Sequence, residues 1–339
     1  MLAVKVMNNQ LVFGDGFSLN FQRTLRIPDD GKTYPLPPGL GTFPIRKVID
    51  YQNRVPKDWV EHGGVFIPMY QREALWISFH ARYWKPNAVK IAIGKVNAVS
   101  GEVWHQELRP DEKDYMVCPP QPWLDGINAG KDMIRQFVAM PLGMGYTVEA
   151  QVTGKEEFGG IQIIVYEPKP GKFPDQPPPP DPRMRMAMPS APAAMEDVLF
   201  SVSSAGGAEM GLGAGGKMTQ SIYPDPHGID TWDAENFGRV YVHIVNSMMY
   251  REITGEEPPA TPITAKTYAQ YGFPWFDLYD DHLGDIAAPD TLSKVKSVKE
   301  MDAEKGFTAQ QDDSSVDVGY VVKYNVGKAD RNQVEDGEW

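Results

Sequence analysis

Residues 168–195, PKPGKFPDQPPPPDPRMRMAMPSAPAAM, constrain this chain more than any other stretch. A proline lacks a backbone donor and fixes φ, so the run at 177–180 can enter neither a helix interior nor a sheet ladder. The residue before each proline is pushed towards extended backbone, and the segment is expected to be stiff, solvated polyproline II. Met184, Met186 and Met188 alternate as in a strand, but Arg183, Arg185 and Pro189 leave such a strand almost no length. A PxxP ligand for an SH3-like or WW-like partner is one use of such a run. Nothing in the flanks selects a partner, so a spacer between two folded bodies is the expectation.

The rest of the chain divides around it. Residues 1–167 are expected to form a β-sandwich-like domain and 168–195 a proline-rich linker. Residues 196–306 should form a smaller mixed α+β domain, and 307–339 an acidic segment with one strand over 316–326. The fold class is mainly β. Before the linker, residues 17–27, 65–79, 89–99, 115–118, 135–140, 146–153 and 161–166 are short apolar or alternating runs. Turn chemistry such as PLGMG and TGKEEFGG separates them. Strands at that spacing suit a sandwich or barrel. WVEHGG and QPWLDGI are expected as loops whose tryptophans cap the core. After the linker, 198–203 and 239–245 are strands. Residues 247–254 are a helix that Asn246 or Ser247 caps and Gly255 stops. Residues 264–271 are a second helix, ended by Gly272, and 291–305 a third, started by Asp290.

Charge narrows the function. The formal net charge is −12. A general nucleic-acid binder needs a basic face to displace counterions, and anionic lipid repels such a chain, so neither nucleic acid nor membrane is an expected partner. No run of about 18 apolar residues could form a spanning helix. The start alternates Leu2, Val4 and Val6 like a strand and lacks the apolar core of a signal peptide. The single cysteine, Cys118, fits a reducing compartment, and a cytoplasmic location is expected.

Chemistry is sparse. His62, His80 and His105 share no metal-binding spacing, and Gln71, Arg72 and Glu73 interrupt an apolar run where a bulge, an edge or a pocket wall would explain them. Residues 211–217 match the first part of a phosphate loop, GxxxxGK. Met218 stands where Ser or Thr should hold magnesium, and a glycine-rich loop is the better expectation. Asp225, Asp230 and Asp233 lie in a turn-rich loop of the kind calcium favours, without an EF-hand spacing. Tyr271, Phe273, Trp275, Phe276, Asp277 and Tyr279 form the densest aromatic and acidic patch. Such a patch can be a ligand or glycan platform, an interface anchor, or a core segment with a solvated edge. A nucleophile elbow and zinc spacings are both missing, and no cofactor is expected.

Two blocks carry a resemblance. The first comprises GGVFIPMYQREALWISF, KIAIGKVNAVSG, PPQPWLDGI, RQFVAMPLGMGYTVEAQVTG and GGIQIIV. The second comprises GLGAGG, IYPDPHGIDTWD, HIVNSMMYREITGEEPP, TAKTYAQYGFPWFDLYDD and VKSVKEMDAEKG. Together, over most of residues 35–306, they resemble a family of uncharacterised microbial proteins. Sequences like the first block are often labelled "integral membrane protein", which the lack of a spanning segment contradicts. The resemblance implies a cytosolic protein of two blocks joined by a variable proline-rich link, with no catalytic residues to transfer. The expectation is a non-enzymatic structural or assembly protein whose partner is itself, as a homo-oligomer. A small-ligand or glycan-binding module and a hydrolase are the alternatives.

Overall fold

The computed structural model describes residues 1–109, 113–179, 209–279, 283–308 and 313–325, with backbone alone for 278, 279, 324 and 325. The strand expected over 198–203, most of the proline-rich linker and the chain's last residues lie outside that set. The principal strands, numbered along the chain, are β1 (Val4–Met7), β2 (Gln10–Phe13), β3 (Phe17–Thr24), β4 (Val65–Met69), β5 (Ala74–Ala81) and β6 (Asn87–Ile93). They continue with β7 (Met133–Pro141), β8 (Ile161–Pro168), β9 (Glu209–Thr219), β10 (Trp232–Asn246), β11 (Trp275–Tyr279) and β12 (Val321–Asn325). The fold is mainly β, as expected.

Local chemistry sets the register. Asn8 and Asn9 both adopt positive φ, 49° and 56°, the twist a two-residue hairpin between β1 and β2 requires. Residues 71–73 form no bulge. They turn the chain from β4 into β5, with Arg72 at φ 70° and the Glu73 amide donating to Tyr70 O at 3.1 Å. Glu73 then points inward and accepts from Arg23 Nε at 2.9 Å. Burial holds its carboxyl above the usual range despite that arginine.

Strand pairing runs β1-β2-β3-β5-β7-β9, all antiparallel. β9 joins β10 at Glu209 and Met210, and β10 pairs β8, which pairs β6. β4 runs parallel to β10, from Val65 opposite Val242 to Met69 opposite Asn246. The inner faces of both sections share one core, with Phe21, Ile77 and Phe137 from the first and Ile91, Ile163 and Ile244 from the second. A boundary at 168–195 therefore does not separate two cores. β9 and β10, from beyond the proline-rich stretch, sit between strands from before it, because pairing satisfies their backbone and buries their apolar alternation.

The glycine-rich stretch is likewise neither a loop nor a phosphate site. It is β9, and its glycines are there for space. A Cβ on Gly216 would lie 2.5 Å from Pro28 O, on Gly215 2.7 Å from Val138 Cγ2, and on Gly213 2.8 Å from Tyr146 O. Only a chain without side chains lets backbone approach backbone so closely.

The helices follow their caps. α1 (Lys57–His62) occupies the stretch expected as a loop, with Trp59 buried. α2 is Val148–Thr153. α3 (Ser247–Thr254) starts on Asn246, whose side chain accepts from Met248 N, and stops at Gly255. α4 (Ala265–Gln270) starts on Thr264. The helix expected over 291–305 is two, α5 (Asp290–Ser293) and α6 (Val298–Glu304). Ser297 and Glu300 form a capping box, which begins a new helix instead of continuing the old one. The last strand is shorter than the 316–326 expected, and β11 and β12 pair in parallel as a separate small sheet. Ion pairs fasten this region to the main sheet: Arg72 reaches Asp302 at 2.8 Å and Asp313 at 3.5 Å, and Arg26 reaches Asp313 at 2.9 Å.

Two outcomes test this packing. Gly216→Ala should lower stability by about 1–3 kcal/mol, the usual cost of overfilling a close-packed site, measured by urea unfolding. Asp125 is fully buried against Gln220 (2.8 Å), and burial pushes its carboxyl up to about 7. The folded chain thus keeps a proton that the unfolded chain releases near pH 4, and this group's contribution falls as pH rises from 4 to 7. Asp125→Asn should gain on the parent across that window by up to about 1.4 kcal/mol per pH unit, and by nothing further above it.

Candidate functional site

The site grows out of β10. RVYVHIV alternates so that Val240, Val242 and Ile244 face the shared core while Arg239, Tyr241 and His243 face outward. Gly63 and Gly64, at φ 64° and 83°, bring the end of α1 across this strand, and a Cβ on Gly64 would lie 2.1 Å from Tyr241 O. The crossing stacks aromatic rings. His62 lies on Tyr241 (centroids 4.9 Å apart, 13° between planes), Tyr241 on His243 (4.4 Å, 20°), and His243 on Trp59 (4.4 Å, 18°). His243 Nε2 donates to Gly63 O at 3.0 Å, and burial pushes its pKa down to about 3, so the ring is neutral. The Tyr241 hydroxyl donates to Phe158 O at 2.5 Å, and burial raises its pKa.

Register places the opposite wall. Lys90 on β6 lies beside Ile164 on β8, which lies beside Arg239 on β10. Lys90 is fully buried and donates to Asp114 Oδ2 at 2.6 Å, to Glu107 O at 2.8 Å and to His105 Nδ1 at 3.1 Å, with the Trp104 ring 5.5 Å away. His105 Nε2 is 3.3 Å from Asp114 Oδ2. His105 Nδ1 is also 3.7 Å from Glu107 Oε2, so the ring lies among Lys90, Asp114 and Glu107.

Between the walls runs a groove of about 1100 Å³. Lys5, Lys47, Lys95 and Arg239 line it against a single carboxylate, that of Glu61. Arg239 is exposed and gives Nη1 to the neutral amide oxygen of Gln106 at 2.7 Å, while Lys95 stands 3.8 Å above the Phe158 ring. Among the described residues, Lys47 alone of these four cations has an acidic partner, Asp50 at 3.0 Å. The groove is thus a basic surface on an acidic protein, and it can hold anionic groups.

The patch proposed from sequence lies elsewhere. Trp275 is fully buried against Tyr34 and Tyr268, at 6.2 and 6.0 Å, so neither of its faces is open to a ligand. The Phe276 backbone exchanges hydrogen bonds with Leu36, and its ring is half-buried. Phe273 is half-buried 5.3 Å from Tyr268. Tyr271 is 70 % exposed, Asp277 is half-buried, and the Tyr279 side chain lies outside the description. The rings of Tyr271 and Phe273 lie 5.9 Å apart, while Trp275 is turned inward away from them.

The loop carboxylates also serve structure. Asp225 accepts from the Tyr115 hydroxyl at 2.7 Å, from Trp232 Nε1 at 2.8 Å and from His227 N at 2.7 Å. Asp233 accepts from Glu235 N, and Asp230 is exposed. Among the described residues no group of three such side chains could hold a metal. Cys118 is buried, and burial pushes its thiol up to about 12.

Sequence reasoning missed the groove because its lining comes from residues 4–7, 47–65, 95–106, 162–164 and 239–241, with no local cluster. The one available signal was Arg239, Tyr241 and His243 sharing the polar face of an otherwise apolar strand. Comparison with family models, curated proteins and solved structures gives no match for this chain.

The stack makes an acid-sensitive joint. As pH falls, an unfolded chain protonates His243 near pH 6.5, whereas the folded chain resists until about 3, so this residue's contribution is lost between those limits. His243→Phe keeps the ring and should flatten the fall in melting temperature between pH 6.5 and 4.

Proposed function

We propose that this protein is a non-enzymatic interaction and assembly module that docks a negatively charged partner along the β10 groove. One observation carries the reading. In a chain of net charge −12, Lys5, Lys95 and Arg239 gather at one groove, and among the described residues no carboxylate of the groove pairs with them. A cationic cluster costs self-repulsion, and binding an anionic surface offsets it. His243 supports the non-enzymatic part, because its neutral ring is stacked between Trp59 and Tyr241 and its Nε2 is spent on Gly63 O. The sandwich-like pairing of the two sheet sections supplies the rigid frame such docking needs.

A homo-oligomer is a second reading, favoured by the groove's rim. Met7, Ile49 and Val60 are exposed there (55, 64 and 40 %), an apolar border around a basic centre on an otherwise acidic molecule. Such a surface is complementary to another part of the same chain.

Native mass measurement and light scattering separate the readings. Self-association through the groove should weaken as salt rises and be lost in Arg239→Glu with Lys5→Glu; a salt-independent monomer removes the homo-oligomer. Docking of an anionic partner predicts that acidic polypeptide binds the parent at least about tenfold more tightly than this variant, since charge complementarity at such sites is worth more than 1.4 kcal/mol. Equal binding removes the proposal itself.

A further inference from the structure

The groove holds a guanidinium that is fixed in place yet half unused. Arg239 spends Nη1 on the amide oxygen of Gln106 at 2.7 Å, and among the described residues its Nε–Nη2 edge has no partner. Gln106 is itself held from below. Its carbonyl accepts from the Tyr166 hydroxyl, and the next carbonyl, Glu107 O, accepts from the fully buried Lys90 at 2.8 Å. An arginine anchored through one nitrogen to a fixed loop loses little freedom on binding. It keeps the two parallel donors that match an oxyanion.

Strand packing brings a second cation alongside. A Cβ on Gly238 would meet Val4 Cγ2 at 3.1 Å and Leu2 Cβ at 3.2 Å, so β1 packs directly on β10 at this point. Val4 and Val6 pack against the shared core, and alternation turns the exposed Lys5 to the face on which Arg239 stands. Lys95 borders the same face from the other side. Its amide donates to Gln162 Oε1 at 2.7 Å, and Gln162 lies opposite Tyr241 of β10. Three cations thus surround one stretch of the groove, whose lining includes a single carboxylate, Glu61.

Their number selects among anions. A carboxylate brings one charge and two oxygens, which leaves most of the cluster's repulsion in place. A phosphate monoester brings about 1.5–2 charges and three acceptor oxygens, two for the Arg239 edge and one for an ammonium. The exposed apolar rim of Met7, Ile49 and Val60 is more than a bare phosphate can use, and it suits a chain flanking the phosphorylated group.

We propose that the negatively charged partner is a protein bearing a phosphorylated side chain, whose phosphate is taken by the Nε–Nη2 edge of Arg239 with Lys5 and Lys95 beside it. This deepens the anionic-partner reading and rests on it. Gln106 is a positioning residue, since it occupies Nη1 and leaves the bidentate edge of the guanidinium to the phosphate.

The probe is a fluorescent peptide, Gly-Val-phosphoserine-Val-Gly, with glutamate or serine in place of the phosphoserine as controls, titrated with the full chain and read by anisotropy. The phosphorylated peptide should bind about tenfold or more tightly than the glutamate peptide, and the serine peptide least tightly. Arg239→Lys keeps the charge and removes the fork, so it should cut the preference for phosphoserine over glutamate to about threefold or less. Gln106→Ala should cut that preference similarly with an unchanged melting temperature. A merely structural loss would weaken both peptides by the same factor, so the ratio reports positioning. If the phosphorylated and glutamate peptides bind the parent equally, the phosphate site is overturned and anionic docking survives. If inorganic phosphate binds as tightly as the phosphorylated peptide, a free anion is the ligand and the partner-borne phosphate is overturned. If no peptide binds, or if all three bind the parent and the Arg239→Glu, Lys5→Glu variant alike, both readings are overturned. The peptide comparison on the parent needs no altered protein, so a Gln106→Ala chain that fails to fold leaves the test in force.

Discussion

Close backbone contact at β9 is the constraint on which the rest depends. Gly213 and Gly216 let the backbone at Tyr146 and Pro28 pack directly onto the faces of a strand from beyond the proline-rich stretch, and Gly215 leaves room for Val138 of β7, with which that strand pairs. With β9 in place, β10 follows at the sheet junction and brings Arg239, Tyr241 and His243 to the outer face. Glycine content that suggests mobility in the sequence therefore acts as a rigid element in the fold.

The second half is held in two ways that differ in character. Sheet pairing and the shared core are short-range and insensitive to salt. The arginine and carboxylate contacts around Arg72, Asp302, Asp313 and Arg26 are buried, so each charge depends on its partner, and removing one partner strands the other in a poorly solvating interior. Tyr146 belongs to the same arrangement, since its hydroxyl donates to Asp302 at 2.8 Å while its carbonyl lies against Gly213. The strand that belongs to the second half and the ions that fasten it thus meet at one residue.

Much of this was legible in the sequence. Alternation announced the β-rich character, and Asn246 with Gly255 bounded α3 to the residue, because caps are local chemistry. Local reasoning failed where the cause was distant. Ser297 splits a helix whose apolar spacing looked continuous, and Arg72 and Glu73 acquire their meaning from Arg23, Asp302 and Asp313, far along the chain. The aromatic patch at 271–279 showed its composition but not its orientation, and Trp275 points inward because Tyr34 and Tyr268 are there to receive it. The groove was illegible for the same reason, as it is assembled from five separate stretches.

β1 has a consequence of a different kind. A short strand after which the chain turns at Asn8–Asn9, with no ladder but the one to β2 among the described residues, is the sort of edge on which proteins nucleate aggregates. The exposed Lys5 on that strand makes the edge inhospitable to a neutral or cationic strand, since such a strand would leave its charge desolvated and unmatched. A cation that would select a partner thereby acts as a gatekeeper during synthesis and refolding, when stray strands are most abundant.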